Sequence, residues 1–169
     1  MAAAKGVPQR SKRPRPRRRE RPKNQRYTVD ASVFVNAFNP HEAGHAVSLQ
    51  ILTAIQERGD PVIVPTLLLV EVAAAVARAS DDSAGAIQYA IATAALPHLT
   101  LITLTPAMAR HAAELAADHR LRGADAVYLA VARRYGTTLV SRDDEQRARG
   151  AGVAPCQTPE EALGDRSSH

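Results

Sequence analysis

From Tyr27 to Val140 short runs of β-formers alternate with longer stretches of helical spacing, and this alternation restricts the chain more than any other feature of its sequence. Tyr27-Thr28-Val29 reads as a strand; a short helix from Ser32 and a longer one through Val47, Ile51 and Ile55 follow, the second stopping at Gly59. Val62-Ile63-Val64 is a second strand bracketed by prolines. Thr66 opens an apolar helix to about Ala79, Asp82 caps another to about Leu96, and residues 99–104 alternate as a third strand. Thr105-Pro106 supplies a cap and a first-turn proline for a helix with Met108, Ala112, Leu115 and His119 on one face. A break at Gly123 precedes a helix over 124–135, Gly136 ends it, and residues 137–140 form a fourth strand. Parallel neighbours need crossover connections, so this order predicts an α/β fold with a central parallel sheet and helices on both faces. No GxGxxG or P-loop is present, which leaves a nucleotide-binding version of that layout without support.

Charge divides the chain in two. Residues 1–26 hold 11 of the 22 lysines and arginines but only Glu20 of the 17 acids, a net +10, so the remainder carries −5. Four prolines and almost no apolar residues leave that segment unable to offset the entropy of folding, and a disordered basic arm is expected. Three readings of the arm stay open: a nucleic-acid contact through phosphates, a solubilising extension, or a segment upstream of the true start codon. The globular part begins near Tyr27.

Cys156 is the single cysteine, which excludes an intramolecular disulfide scaffold and any zinc site built on paired cysteines. A reducing cytoplasm is expected, since the arginines at the N-terminus have no apolar block behind them to make a secretory signal. The longest uncharged stretch, residues 83–109, contains Gln88, Pro97, His98 and Pro106, so it is not read as a membrane span.

In parallel α/β sheets, ligands gather outside the carboxyl ends of the strands. Asp30 ends the first strand, and Asp143 follows the fourth in Leu139-Val140-Ser141-Arg142-Asp143-Asp144. Glu71 and Asp125 are embedded in apolar helical runs near their starts, where a carboxylate is costly unless paired or bound to a metal. Any one of these acids alone is explained as a helix cap or a solvated charge. Four in one pocket would repel one another and demand a cation, and oxygen-only ligands select hard ions such as magnesium or manganese. An acidic magnesium site points to phosphate chemistry.

Val29-Asp30-Ala31-Ser32, the run from Val64 to Val72 containing Glu71, Ala124-Asp125-Ala126-Val127-Tyr128, and Leu139-Val140-Ser141-Arg142-Asp143 resemble the ordered motifs of PIN domains, and more narrowly those of VapC-type ribonuclease toxins. The resemblance covers about Tyr27 to Val153. It implies a PIN-like three-layer α/β/α sandwich, taken over residues 27–155. By composition, residues 156–169 read as a polar C-terminal tail, and Cys156, in an edge segment at its start, reads as inert. The resemblance also implies a Mg2+-dependent endoribonuclease, with Mn2+ as a substitute, that acts on RNA as a homodimer restrained by a small antitoxin. Asp30 and Asp125 match the acids that hold the principal metal, and Glu71 and Asp143 complete the site, with Asp144 as a neighbour able to replace Asp143. Ser32 and Ser141 match hydroxyl positions that orient carboxylates or phosphate. Arg142, Arg147 and Arg149, with Arg120 and Arg122 before Asp125, are candidates for RNA-phosphate contacts.

A competing string is His41-Glu42-Ala43-Gly44-His45, the H-E-x-x-H pattern of zinc metalloproteases. It needs a helix to bring both imidazoles to one zinc and a third ligand that the sequence does not supply. Two further alternatives keep the fold: a PIN nuclease of RNA processing without an antitoxin, and a non-catalytic RNA- or protein-binding module. The four retained acids argue against the latter.

Overall fold

The computed structural model describes residues 25–164, so the predicted disordered arm lies outside the described residues except for Gln25 and Arg26. Five strands, β1 (Tyr27–Val29), β2 (Val62–Pro65), β3 (Leu99–Ile102), β4 (Thr138–Val140) and β5 (Cys156–Gln157), form one parallel sheet in the order β3-β2-β1-β4-β5. The helices are α1 (Ala31–Phe38), α2 (His45–Arg58), α3 (Leu67–Ser80), α4 (Ser83–Ala94), α5 (Pro106–His119), α6 (Gly123–Tyr135), α7 (Asp144–Gly150) and α8 (Pro159–Gly164).

The chain steps outward from β1 through β2 to β3, then returns across the sheet to β4 and β5. Right-handed crossovers therefore put α1–α4 on one face and α5–α7 on the other, giving the expected α/β/α sandwich. α6 packs across β2, β1 and β4, and α5 lies against α6. The predicted punctuation is what shapes these elements: the Asp82 side chain accepts from the Gly85 amide at 2.9 Å, and Thr105 accepts from Met108 at 3.2 Å. Gly59 and Gly136 end α2 and α6 in the left-handed conformation that favours glycine.

The core runs through Val29, Val33, Val64, Leu68, Leu139 and Val140, and is closed by α6, whose residues 126–132 are all buried. Asp125, in the first turn just before that run, is half-buried.

Residues 156–164, read from the sequence as the start of a polar tail, instead complete the domain. Leu139 and Ser141 amides donate to the carbonyls of Pro155 (2.8 Å) and Gln157 (3.1 Å), and α8 packs on α2 with Ala162 buried. A two-residue strand is stabilised by its ladder rather than by its own pattern, so periodicity could not reveal it. Burial pushes the Cys156 thiol up to about 11. Among the described residues no helix is long and apolar enough to cross a membrane.

Candidate active site

The strand order reverses between β1 and β4, because the chain leaves β1 toward β2 and reaches β4 only after the return crossing. Such a switch point opens a crevice at the carboxyl ends of the two strands. Asp30 stands at one lip and residues 141–143 at the other. The Asp30 amide donates to the Val140 carbonyl at 2.9 Å, and the Arg142 amide donates to Ser32 Oγ at 3.2 Å, so the lips are fastened directly.

Asp30 is the N-cap of α1 and is almost wholly buried. Its Oδ1 accepts from the Ser32 amide at 2.9 Å and its Oδ2 from Gln146 Nε2 at 3.3 Å. Burial pushes this carboxyl above its ordinary range; bonds from Ser32 and Gln146 hold it partly down, and the charge of Asp143 raises it again. Asp125, in the first turn of α6, is raised to about 6, first by burial and then by Asp30 and Asp143, with Arg122 opposing. A first-turn carboxylate ordinarily benefits from the helix dipole, so this upward shift shows how far like charges and lost water prevail.

Glu71 projects from α3 toward the same crevice. Its carboxyl is raised by burial, with further contributions from the charges of Asp30 and Asp125. The Tyr128 hydroxyl lies close enough for the two groups to influence each other, yet Glu71 Oε2 and Tyr128 OH are both buried and neither makes an aligned hydrogen bond among the described residues. Asp143 caps α7, accepting from the Gln146 amide at 2.9 Å, and its Oδ2 lies 3.7 Å from Arg122. Asp144, the possible substitute, points away: its side chain is 93% exposed and pairs with Arg147. The fold thus brings Asp30, Glu71, Asp125 and Asp143 together and leaves Asp144 outside.

The hydroxyls play a framing part. Ser141 Oγ accepts from the Asp143 amide at 3.0 Å, as Ser32 Oγ accepts from Arg142, so both fix the loops that carry acids. The three arginines proposed for phosphate are engaged within the protein. Arg142 donates to the Ala43 carbonyl at 3.1 Å and lies 3.9 Å from Glu160. Its guanidinium fills the space beside Gly44 that a Cβ would need, and Gly44 has φ of 82°, a second reason for glycine there. Arg147 donates to the Ser141 carbonyl at 2.6 Å as well as to Asp144, and Arg149 pairs with Glu145. Arg120 offers its carbonyl to Arg149.

The H-E-x-x-H string does not form a zinc site. α2 begins only at His45, so His41 and Glu42 sit in the preceding turn and the imidazoles lack the one-turn stacking that zinc would require. Glu42 accepts from Asn36 and Asn39, and His45 Nδ1 contacts the Asn36 carbonyl at 3.1 Å. The string ties the loop to α1.

Gln146 and Glu145 are site residues that sequence reasoning missed. Gln146 is fully buried; its amide reaches both Asp30 and, at 3.4 Å, the Asp125 carbonyl, so one side chain bridges the two lips to α6. Glu145 adds negative charge to Asp125 and lies 3.9 Å from Arg122. A signal existed: Asp143 followed three residues later by Gln146 is a helix-start pattern.

Among the described residues, no three His, Cys, Asp or Glu side chains already stand tightly enough to ligate one ion directly. The donor set nevertheless suits a hard cation: four coupled carboxylates, an unpartnered buried oxygen on Glu71 and no cation in their midst except the flanking Arg122. Magnesium keeps several waters when bound, which fits acids spaced more widely than direct ligation demands.

Comparison with known proteins agrees with this fold. The model of the PIN domain matches residues 27–151. A solved structure of VapC20 from Mycobacterium tuberculosis, described as a sarcin–ricin loop cleaving toxin, superposes with a TM-score of 0.65 at 20% identity, covering 76% of this chain and 96% of the other. VapBC2 from Rickettsia felis, bound to a promoter DNA fragment, gives 0.61 at 14% identity over 79% and 98% of the two chains. A toxin–antitoxin complex from Klebsiella pneumoniae gives 0.57 at 19% identity over 80% and 97%. No curated protein matches the chain.

Proposed function

Because the chain belongs to the PIN domain family, we propose that it is a divalent-metal-dependent endoribonuclease and the toxin of a toxin–antitoxin pair. The observation that carries this reading is the gathering of Asp30, Glu71, Asp125 and Asp143 at the sheet's switch point, with Asp125 pushed to about 6 by burial and then by its acidic neighbours. Carboxylates so arranged are relieved by a cation rather than by each other.

Asp30 and Asp125 would hold that ion, with Glu71 and Asp143 completing the set directly or through water. When bound, magnesium or manganese supplies activation of water and neutralisation of charge on phosphorus and the leaving oxygen. The chain's own contribution is placement. Ser32 and Gln146 fix the Asp30 carboxylate from both sides, so little reorganisation accompanies ion binding. Tyr128 lies beside Glu71, and Ser141 holds the loop that aims Asp143. In this reading neither a nucleophilic side chain nor a histidine base is needed.

The partner reading draws on two supports. Neighbours in fold were solved as complexes with antitoxins. Val70, Ile87 and Ile91, on the α3–α4 hairpin, are each more than half exposed, more apolar surface than a solitary domain needs to leave in water. A small antitoxin and a second copy are both proposed as partners, and the cytoplasm as the place of action. The test is cleavage of RNA by chelator-stripped protein after return of Mg2+ or Mn2+, with Asp30→Asn as the comparison. Metal-restored cleavage lost in the variant is expected; equal cleavage by both would overturn the assignment.

A further inference from the structure

Four of the five arginines around the acid cluster face acids, and Arg120 alone is exposed without an ion pair among the described residues. Arg122 faces Asp143 and Glu145, Arg142 faces Glu160, Arg147 faces Asp144, and Arg149 faces Glu145. A crevice that must admit a polyanion therefore offers few uncommitted positive groups. The opposite end of α6 is different. Arg133 and Arg134, in its last turn, are exposed and make no ion pair among the described residues. With Thr105 and His111 of α5 they line a cavity of about 470 Å³ between the two helices. The first turn of α5, which opens beside it, carries no acid.

The end of α6 that carries these arginines lies near Arg26. Gly136 follows the last turn of α6, and a Cβ there would lie 3.7 Å from Arg26 Nη2. The Arg26 carbonyl accepts from the Thr138 amide at 3.0 Å, which fixes Arg26 at the amino edge of the sheet beside β4. Arg26 thus lies beside Gly136, two residues after Arg134.

We infer that the α5–α6 cavity, with Arg133 and Arg134, is a second binding site for the phosphodiester backbone of RNA, at the end of α6 remote from the acids. The choice of ligand rests on the ribonuclease reading above. Asp125 and Arg133 lie eight residues apart on one helix, about 12 Å along its axis, a span of about four stacked nucleotides at 3.4 Å each. Because residues 126–132 between them are buried, a strand that contacts both ends passes around the helix and is longer than four nucleotides. The acid end does the chemistry and the basic end supplies the attraction that a domain of net −5 otherwise lacks.

Arginines in the last turn of a helix also favour its dipole, and that role alone would alter stability without altering RNA affinity. The discriminating experiment is a fluorescence-anisotropy titration of a 20-nucleotide single-stranded RNA at several salt concentrations. Full-length protein carrying Asp30→Asn, which prevents cleavage, is compared with the same protein bearing Arg133→Gln and Arg134→Gln. Arg78→Gln, an exposed arginine on α3 without an ion pair among the described residues, is the control. Two lost phosphate contacts should weaken binding and lower the slope of log affinity against log salt by about 1.4 on a single strand, whereas the control should change neither. An unmoved slope, an equal loss in the control, or no measurable RNA binding would overturn the site. Cleavage by the unsubstituted protein is read separately: normal cleavage with an unmoved slope removes this site alone, and no cleavage with an Arg133-dependent slope removes the nuclease reading alone.

Discussion

Asp60, at the amino edge of the sheet just before β2, and Asp30, at the carboxyl edge just after β1, are carboxylates buried to nearly the same degree, 1% and 7% exposed. Asp60 is met by its own cation: Arg58 Nε donates to it at 2.8 Å from two residues away. Asp30 is met by amides and by other acids, with Asp125, Asp143 and Glu71 around it. The same fold therefore completes one buried charge internally and gathers the other among acids. A buried carboxylate with its arginine is architecture; a group of them sharing only the peripheral Arg122 is what we propose as a site for an ion.

The strongest way to break that contrast is to exchange the two acids' fates by mutation. Asp30→Asn or Asp125→Asn should reduce metal-dependent RNA cleavage by more than about 100-fold, because loss of even an outer-shell partner commonly costs 10- to 100-fold. The metal-free fold should be retained and be at least as stable, since repulsion is relieved. Circular dichroism and thermal unfolding check the second half. Asp60→Asn should do the reverse, leaving cleavage near the unsubstituted level while lowering stability by about 1–3 kcal/mol in a denaturant titration, the usual size for a charge-assisted bond lost in a buried place.

A middle-sized effect is expected at Gln146. Gln146→Ala removes the amide that joins Asp30 to the Asp125 carbonyl without removing a carboxylate. Cleavage should fall by about 10- to 100-fold, with a matching rise in the metal concentration needed for half-maximal rate. An undiminished metal requirement would show that Gln146 only fills space.

The smallest effect is in pH. Asp125 is held at about 6 in the fold against an ordinary 3.8, so the folded state binds its proton more tightly than the unfolded one. Its contribution to stability is then fully present below about 3.8 and is lost as pH rises through about 6. Metal-free protein should gain stability as pH is lowered from 7 to 5, and Asp125→Asn should flatten that dependence. A steeper fall on acidification in both proteins would mean that other carboxylates dominate.

Much of this was legible in the residues for identifiable reasons. Asp82, Thr105-Pro106, Gly59 and Gly136 mark helix ends by local hydrogen bonding and backbone preference, and those bonds form where expected. The four acids were legible because carboxylates at strand ends or within apolar runs such as Leu67–Val72 need a reason to be there. What escaped depends on contacts across the chain. α7 and α8 are under eight residues, too short to persist without tertiary support, and β5 exists only by pairing with β4. Gln146 turns inward to an acid 116 residues away, and Arg142 packs on a glycine 98 residues before it; no local pattern encodes either. The histidine string looked like a motif because spacing alone was visible, whereas Gly44 starts the helix too late for it.

Direct binding of Mn2+ to chelator-stripped protein at pH 7, followed by electron paramagnetic resonance, tests most directly whether the carboxyl-edge acids are completed by an external cation. Manganese should bind the unsubstituted protein and Asp60→Asn alike, and binding should be lost in Asp125→Asn. No bound manganese, or equal binding in Asp125→Asn, would contradict the account.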